Sequence, residues 1–168
     1  MKSLKFALSM LFVAGAAGCH CMHHEKSSDG MTLEAQKLDK QFVDAFNRAD
    51  VDGVMKCYWK SPELIVFPPD ALEAKGYDAV RDGFAGTFRA MPGAQLELLN
   101  RYYNVSDGVI FGYGTFRITM PATTPGLTPP EMRGRYTEVI AKRDGQWVYV
   151  LDHPSMPVAF PAATQPAK

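Results

Sequence analysis

Three titratable side chains stand near the C-terminal end of the chain, Glu138, Asp152 and His153. Carboxyl groups that share one cavity can divide acid and base roles, because burial and mutual charge drive their pKa values apart. An imidazole beside them can serve as general base or metal ligand near neutral pH. Each residue also has a plainer use. Glu138 can be a solvated strand residue paired with an arginine, and Asp152 can end a strand or pair with Arg117 or Arg135. His153, next to Pro154, can be a hydrogen-bonded structural residue. Tyr58, Phe67, Phe111, Tyr113 and Tyr136 can line an apolar pocket or belong to ordinary core. Cys57 has no histidine nearby in sequence, which favours a buried structural thiol over a nucleophile.

The run His20-Cys21-Met22-His23-His24 is dense in ligands that suit copper or zinc. Adjacent residues in a flexible segment cannot preorganise a closed site, so it reads as a polar linker. No metal and no cofactor is assigned. Ahead of it, Lys2 and Lys5 precede an apolar run from Phe6 to Ala14, then Gly15-Ala16-Ala17-Gly18 and Cys19. That is the pattern of an export signal, and it is shorter than the roughly 20 apolar residues a permanent span needs. Cys19 is similar to the acceptor cysteine of a bacterial lipoprotein signal, although Ala16 stands where Leu, Val or Ile is usual. Cleavage after Ala14-Gly15-Ala16 is the alternative. The chain is expected in a bacterial envelope, periplasmic or anchored to the membrane through a lipid on Cys19, or else secreted. The expected organisation is a signal peptide over 1–18, a flexible tether over 19–31, one domain over 32–156 and a Pro/Ala-rich tail over 157–168.

With 168 residues, 46% hydrophobic and 21% charged, the chain has the balance of a single globular domain. Lysine plus arginine equals aspartate plus glutamate at 18 each, so no basic field favours nucleic acid. Three cysteines make no disulfide framework.

The elements that would position these residues follow from periodicity. A helix is expected from Thr32, with Leu38, Phe42, Ala45, Phe46 and Ala49 on one face and Asp39 among the polar positions. Asp50 can cap a second helix carrying Val51, Val54, Met55 and Tyr58, ended by Pro62. Residues 63–67 read as a strand closed by Pro68-Pro69. A third helix fits 77–90, with Val80, Phe84, Phe88 and Met91 on its buried face. Strands follow over 95–105 and 109–120, joined at Ser106-Asp107-Gly108, and over 132–142 and 146–153, joined at Arg143-Asp144-Gly145. Three helices cannot cover both faces of such a sheet. The expectation is therefore α+β: a cone-like, curved, mostly antiparallel sheet with three helices on its concave side, enclosing a pocket.

The segments Phe42–Asp50, Ile65–Asp70, Gly134–Val139 and Arg143–Trp147, followed by Asp152-His153, resemble a SnoaL-like domain of the nuclear transport factor 2-like superfamily, which includes ketosteroid isomerase. The resemblance covers roughly residues 33–155. It implies a cone with a pocket and a homodimer formed through the outer sheet face, but no particular reaction. The isomerase carries its general base just before the proline that ends the first strand; that slot here holds Phe67, which cannot accept a proton. Its oxyanion-hole acid corresponds to Glu138, a carboxyl that an apolar cavity would keep neutral.

The last hairpin decides what joins Glu138. A two-residue type I′ turn at Asp144-Gly145 would pair Glu138 with Leu151 and put His153 beside Tyr136. A type I turn at Arg143-Asp144 with Gly145 as a bulge would set Glu138 opposite Val150 and bring Asp152 to Tyr136 and Glu138. The isomerase resemblance favours the second, because it places Pro154 where that enzyme has a pocket tryptophan. The function expected is binding of a small apolar or amphipathic molecule. The alternative is acid–base catalysis on a small carbonyl or hydroxyl compound through Glu138 and Asp152, with His153 as a further candidate.

Overall fold

The computed structural model describes residues 21–122, 128 and 130–157. The signal segment, Cys19 and most of the tail lie outside the described residues. Helix α1 spans Cys21–Phe46, α2 Val51–Met55 and α3 Tyr77–Ala90. The strands are β1 Ile65–Val66, β2 Ala74–Lys75, β3 Gln95–Ser106, β4 Val109–Thr119, β5 Glu131–Arg143 and β6 Gln146–Ser155. They form one sheet in the order β2-β1-β6-β5-β4-β3. Every neighbouring pair is antiparallel except β1 with β6.

The sheet is open and curved, and α1 packs on β3, β4 and β6 while α3 packs on α2 and β2. The α+β architecture read from the sequence is thus the one observed. Aromatic rings pack between the helices and the sheet. Phe42 meets Phe84 at 5.9 Å and Tyr149 at 5.8 Å, and Phe46 meets Phe88 at 5.2 Å, all edge-on. Edge-on pairs set the positive ring edge against the negative ring face. Ala35, Leu38, Val54, Met55, Val80, Ile110 and Ile140 complete this core.

Several boundaries differ from the periodicity. Helix α1 begins at Cys21, so the stretch read as tether up to residue 31 is helical from there. Helix α2 stops at Met55 rather than running towards Pro62. The amide of Tyr149 donates to Cys57 O, and Trp59 N donates to Tyr149 O, so β6 draws this stretch into an extended path. Only Ile65 and Val66 of the expected first strand enter the ladder, and the short β2 partner was not foreseen. Both long hairpins turn through Asp-Gly pairs with positive φ, 49° and 79° at Asp107-Gly108 and 49° and 83° at Asp144-Gly145. That is the two-residue type I′ turn, whose twist matches the strands. The type I turn with a Gly145 bulge is therefore corrected.

Helix α2 depends on its cap. Asp50 is extended and its carboxyl accepts from Gly53 N at 2.8 Å, satisfying a first-turn amide. Asp50→Ala is expected to lower stability by about 1 kcal/mol, read as a lower urea midpoint with an unchanged denaturant slope.

Candidate functional site

The register of β5 with β6 places the acids. From the turn to Ile140↔Tyr149 the pairing follows the type I′ hairpin; Val150 then bulges out, and Val139↔Leu151 and Glu138↔Asp152 pair beyond it. The bulge shifts the register by one. Glu138 thus faces Asp152 directly, rather than Val150 or Leu151, and Tyr136 stands beside them opposite Pro154. The sequence expectation that Asp152 joins Glu138 and Tyr136 agrees with this arrangement, but the device is a bulge inside β6 and not one at the turn.

Helix α1 brings a third carboxyl. Asp39 is 0% exposed. It accepts from Tyr103 Oη of β3 at 2.5 Å and from Tyr149 Oη of β6 at 2.8 Å. Burial raises its pKa, and the two tyrosine hydroxyls and the charge of Arg101 pull the other way. Glu138 is 6% exposed. Burial drives its carboxyl well above the usual range, and the charges of Asp39 and Asp152 and a hydrogen bond to Asp39 add to this. We therefore describe Glu138 as the protonated member of the pair. Its Oε1 and the Tyr136 hydroxyl are buried without a hydrogen-bond partner among the described residues.

Asp152 is half-buried and accepts from Tyr58 Oη at 2.7 Å. Desolvation by the surrounding protein raises its pKa from 3.8 to about 6, against the opposing Tyr58 hydrogen bond. The three acids therefore differ in kind: one holds two hydroxyls, one holds a proton, and one titrates near neutrality.

Glycine makes room for Glu138. Gly112 pairs with Glu138 across β4 and β5. A Cβ there would lie 2.2 Å from Glu138 Oε1 and 2.7 Å from its Cγ. Any side chain at 112 would occupy the place of the acid.

Not every expected residue belongs to this group. His153 points to the opposite, outer face of the sheet, where its ring stands edge-on to Phe67 at 5.5 Å. Phe67 follows the same alternation outward, and the buried residue facing Asp152 from β1 is Val66. The first-strand slot compared with the isomerase base is therefore apolar on the concave side as well. Phe111 and Tyr113 are 47% and 41% exposed and also lie on the outer face, since their neighbours Ile110 and Gly112 point inward. Of the expected lining, Tyr58 and Tyr136 are on the concave side and buried. Cys57 is buried, and burial raises its thiol to about 12, so it is no nucleophile.

The residues missed were Asp39, Tyr103 and Tyr149. Asp39 left a signal: it stands four after Ala35 and seven before Phe46, inside the apolar stripe of α1. Among the described residues no cluster of histidine, cysteine, aspartate or glutamate is arranged to hold a metal ion.

Two measurements check this geometry. Gly112→Ala should cost about 1–3 kcal/mol by overcrowding, and Glu138→Ala in the same chain should recover part of that loss; thermal unfolding of the single and double variants reads it. The second is pH dependence. A carboxyl whose folded pKa is raised binds its proton more tightly in the native state, so its contribution is complete below the unfolded value and lost as pH rises. For Asp152 that window runs from 3.8 to about 6. Asp152→Asn should flatten the fall in stability across this range in urea titrations, with the Glu138 contribution continuing at higher pH.

A model of the SnoaL-like domain family matches residues 36–159. No curated protein matches the chain. Among solved structures, a nuclear transport factor 2-like superfamily protein from Salmonella enterica serovar Typhimurium is similar, with 18% identity and a TM-score of 0.68 over 82% of this chain and 99% of that one. A protein from Novosphingobium aromaticivorans named as a candidate scytalone dehydratase has 13% identity and a TM-score of 0.68, over 80% of this chain and 89% of its own. A candidate dehydratase of the nuclear transport factor 2-like family from Streptomyces avermitilis has 16% identity and a TM-score of 0.67, over 78% and 99%. Such identities carry the fold and nothing finer. The family model covers most of the chain, and the chain belongs to the SnoaL-like domain family.

Proposed function

We propose that the chain is an exported small-molecule-binding domain whose guest sets a hydroxyl or carbonyl group against Tyr136 and Glu138 on the concave side of the sheet. One observation carries this: the Tyr136 hydroxyl and Glu138 Oε1 are buried, lie two residues apart on one face, and have no partner among the described residues. A buried polar atom left unpaired costs about 1–3 kcal/mol, and a guest that supplies the missing hydrogen bonds removes that cost. A hydroxyl suits the pair, since it can accept from Tyr136 and donate to Glu138. The surrounding rings favour an apolar body. Export and lipid attachment at Cys19 rest on the N-terminal sequence pattern. A homodimer through the outer face is supported by the exposure of Tyr102, Phe111 and Tyr113 there.

A second reading, acid–base catalysis, is favoured by the contrast between Glu138 and Asp152. A protonated acid and a carboxylate that ionises near pH 6 stand opposite each other, an arrangement able to take a proton at one side of a small molecule and donate at the other. Two of the similar structures are named as candidate dehydratases, a reaction of that kind.

For the binding reading, 2-naphthol titrated into the protein should bind saturably and move the NMR signals of Tyr136. Tyr136→Phe should weaken it about tenfold, the loss of one hydrogen bond. Absence of saturable binding would sink the proposal. For the catalytic reading, carbon-13 NMR of the carboxyls should place Asp152 near 6 with Glu138 still protonated there. Ordinary values of roughly 4 for both would remove the tuned pair.

A further inference from the structure

Residues 101 to 106 pair with β4 without interruption, so their side chains alternate regularly. Tyr103 points to the concave side, because its hydroxyl reaches Asp39 on α1. Arg101 therefore points the same way, in the row Arg101–Gly114–Tyr136 across three strands. Its charge acts on Asp39, Tyr103 and Tyr136.

Arg101 differs from half of the eight arginines of the chain. Arg48, Arg81, Arg117 and Arg133 each stand on a carboxylate. Arg101 is exposed and makes no hydrogen bond or ion pair among the described residues. It borders a depression of about 710 Å³ that runs from α1 over the β3 edge, lined by Thr32, Gln36, Leu99 and Tyr103 on the helix side and by Tyr102 and Tyr113 on the outer face. Among the described residues no aspartate or glutamate lines that depression, so they leave the guanidinium charge uncompensated there. Asp39, on which its charge acts, is already committed to the hydroxyls of Tyr103 and Tyr149.

From this charge imbalance we infer that the depression between α1 and β3 binds a small amphipathic carboxylate, its two oxygens on the Arg101 guanidinium and its apolar body along Tyr103 and Leu99. The planar fork of arginine matches a carboxylate with two parallel hydrogen bonds. A single cation balances a single negative charge, which favours a monocarboxylate over a dianionic phosphate. Thr32 and Gln36 on α1 offer neutral donors beside such a head group. The inference deepens the binding reading above and rests on it in one respect: the Tyr103 contact with Asp39 and the row Arg101–Gly114–Tyr136 lead from the depression to the concave site, so a hydroxyl on the same guest would be read by Tyr136 and Glu138.

The test compares 2-naphthoate with 2-naphthol on the full chain at pH 7.5, by calorimetry and by NMR of the Arg101 side chain, Tyr103 and Tyr136. The acid should bind and shift Arg101 and Tyr103. Arg101→Ala should weaken the acid about tenfold or more and leave the alcohol unchanged, and Arg101→Lys should restore only part of the loss. Because Arg101 is exposed, circular dichroism of the variants should match the parent and exclude misfolding as the cause. If Arg101→Ala leaves the acid's affinity unchanged, or the acid shifts no signal at Arg101, the carboxylate site is wrong while the alcohol data still judge the concave site alone. If the acid binds through Arg101 but neither compound moves Tyr136, the anion site stands and the role given to Tyr136 and Glu138 falls.

Discussion

A carboxylate with no exposure must be paired or it unfolds the protein around it. Asp39 meets that condition through two hydroxyls from strands that are not neighbours. Tyr103 is on β3 and Tyr149 on β6, with β4 and β5 between them. In a flat sheet those strands would lie ~14 Å apart, at ~4.8 Å per step. The curl of the sheet towards the helix shortens that gap, and two long phenols bridge the rest to one carboxyl. The Asp39 contacts thus couple three features: the curvature of the sheet, the seat of α1, and the proton held by Glu138 beside it.

Much of this architecture could be read from residue order, and the reason is local. The third helix keeps a strict apolar spacing from Val80 to Met91, and two Asp-Gly pairs sit between runs with strand propensity. These signals need no knowledge of the rest of the chain. The failures are tertiary. Helix α2 ends where β6 captures Cys57 and Trp59, and β2 exists only because β1 offers it an edge. Asp39 reads as a solvated helix residue until two distant tyrosines are known to wait for it. Phe67, Phe111 and Tyr113 look like pocket lining by type, yet alternation puts all three on the outer face.

The final hairpin illustrates how two devices combine. An Asp-Gly turn fixes one register, and left alone it would place Glu138 against Leu151. The extra residue Val150 undoes that choice within a few positions and sets acid against acid. Neither signal is visible separately in composition, because a bulge is recognised only by what it pairs with. The result is costly in electrostatic terms, since two carboxyls now face each other in a poorly solvated place. The cost is met by chemistry rather than by distance: Glu138 keeps its proton, and Asp152 takes the Tyr58 hydroxyl and retains some solvent.

This distribution of acids also bears on what the fold carries from one member of its family to another. The concave residue of β1 next to the site is Val66, so the first strand supplies no base here. The ionisable groups come instead from α1, β5 and β6. A scaffold defined by a curled sheet and its helices constrains where side chains can converge, but it leaves open which strand delivers the polar ones. Gly112 marks where that freedom ends. Its missing side chain is the space that Glu138 occupies, so the acid on β5 fits only while position 112 on β4 stays glycine.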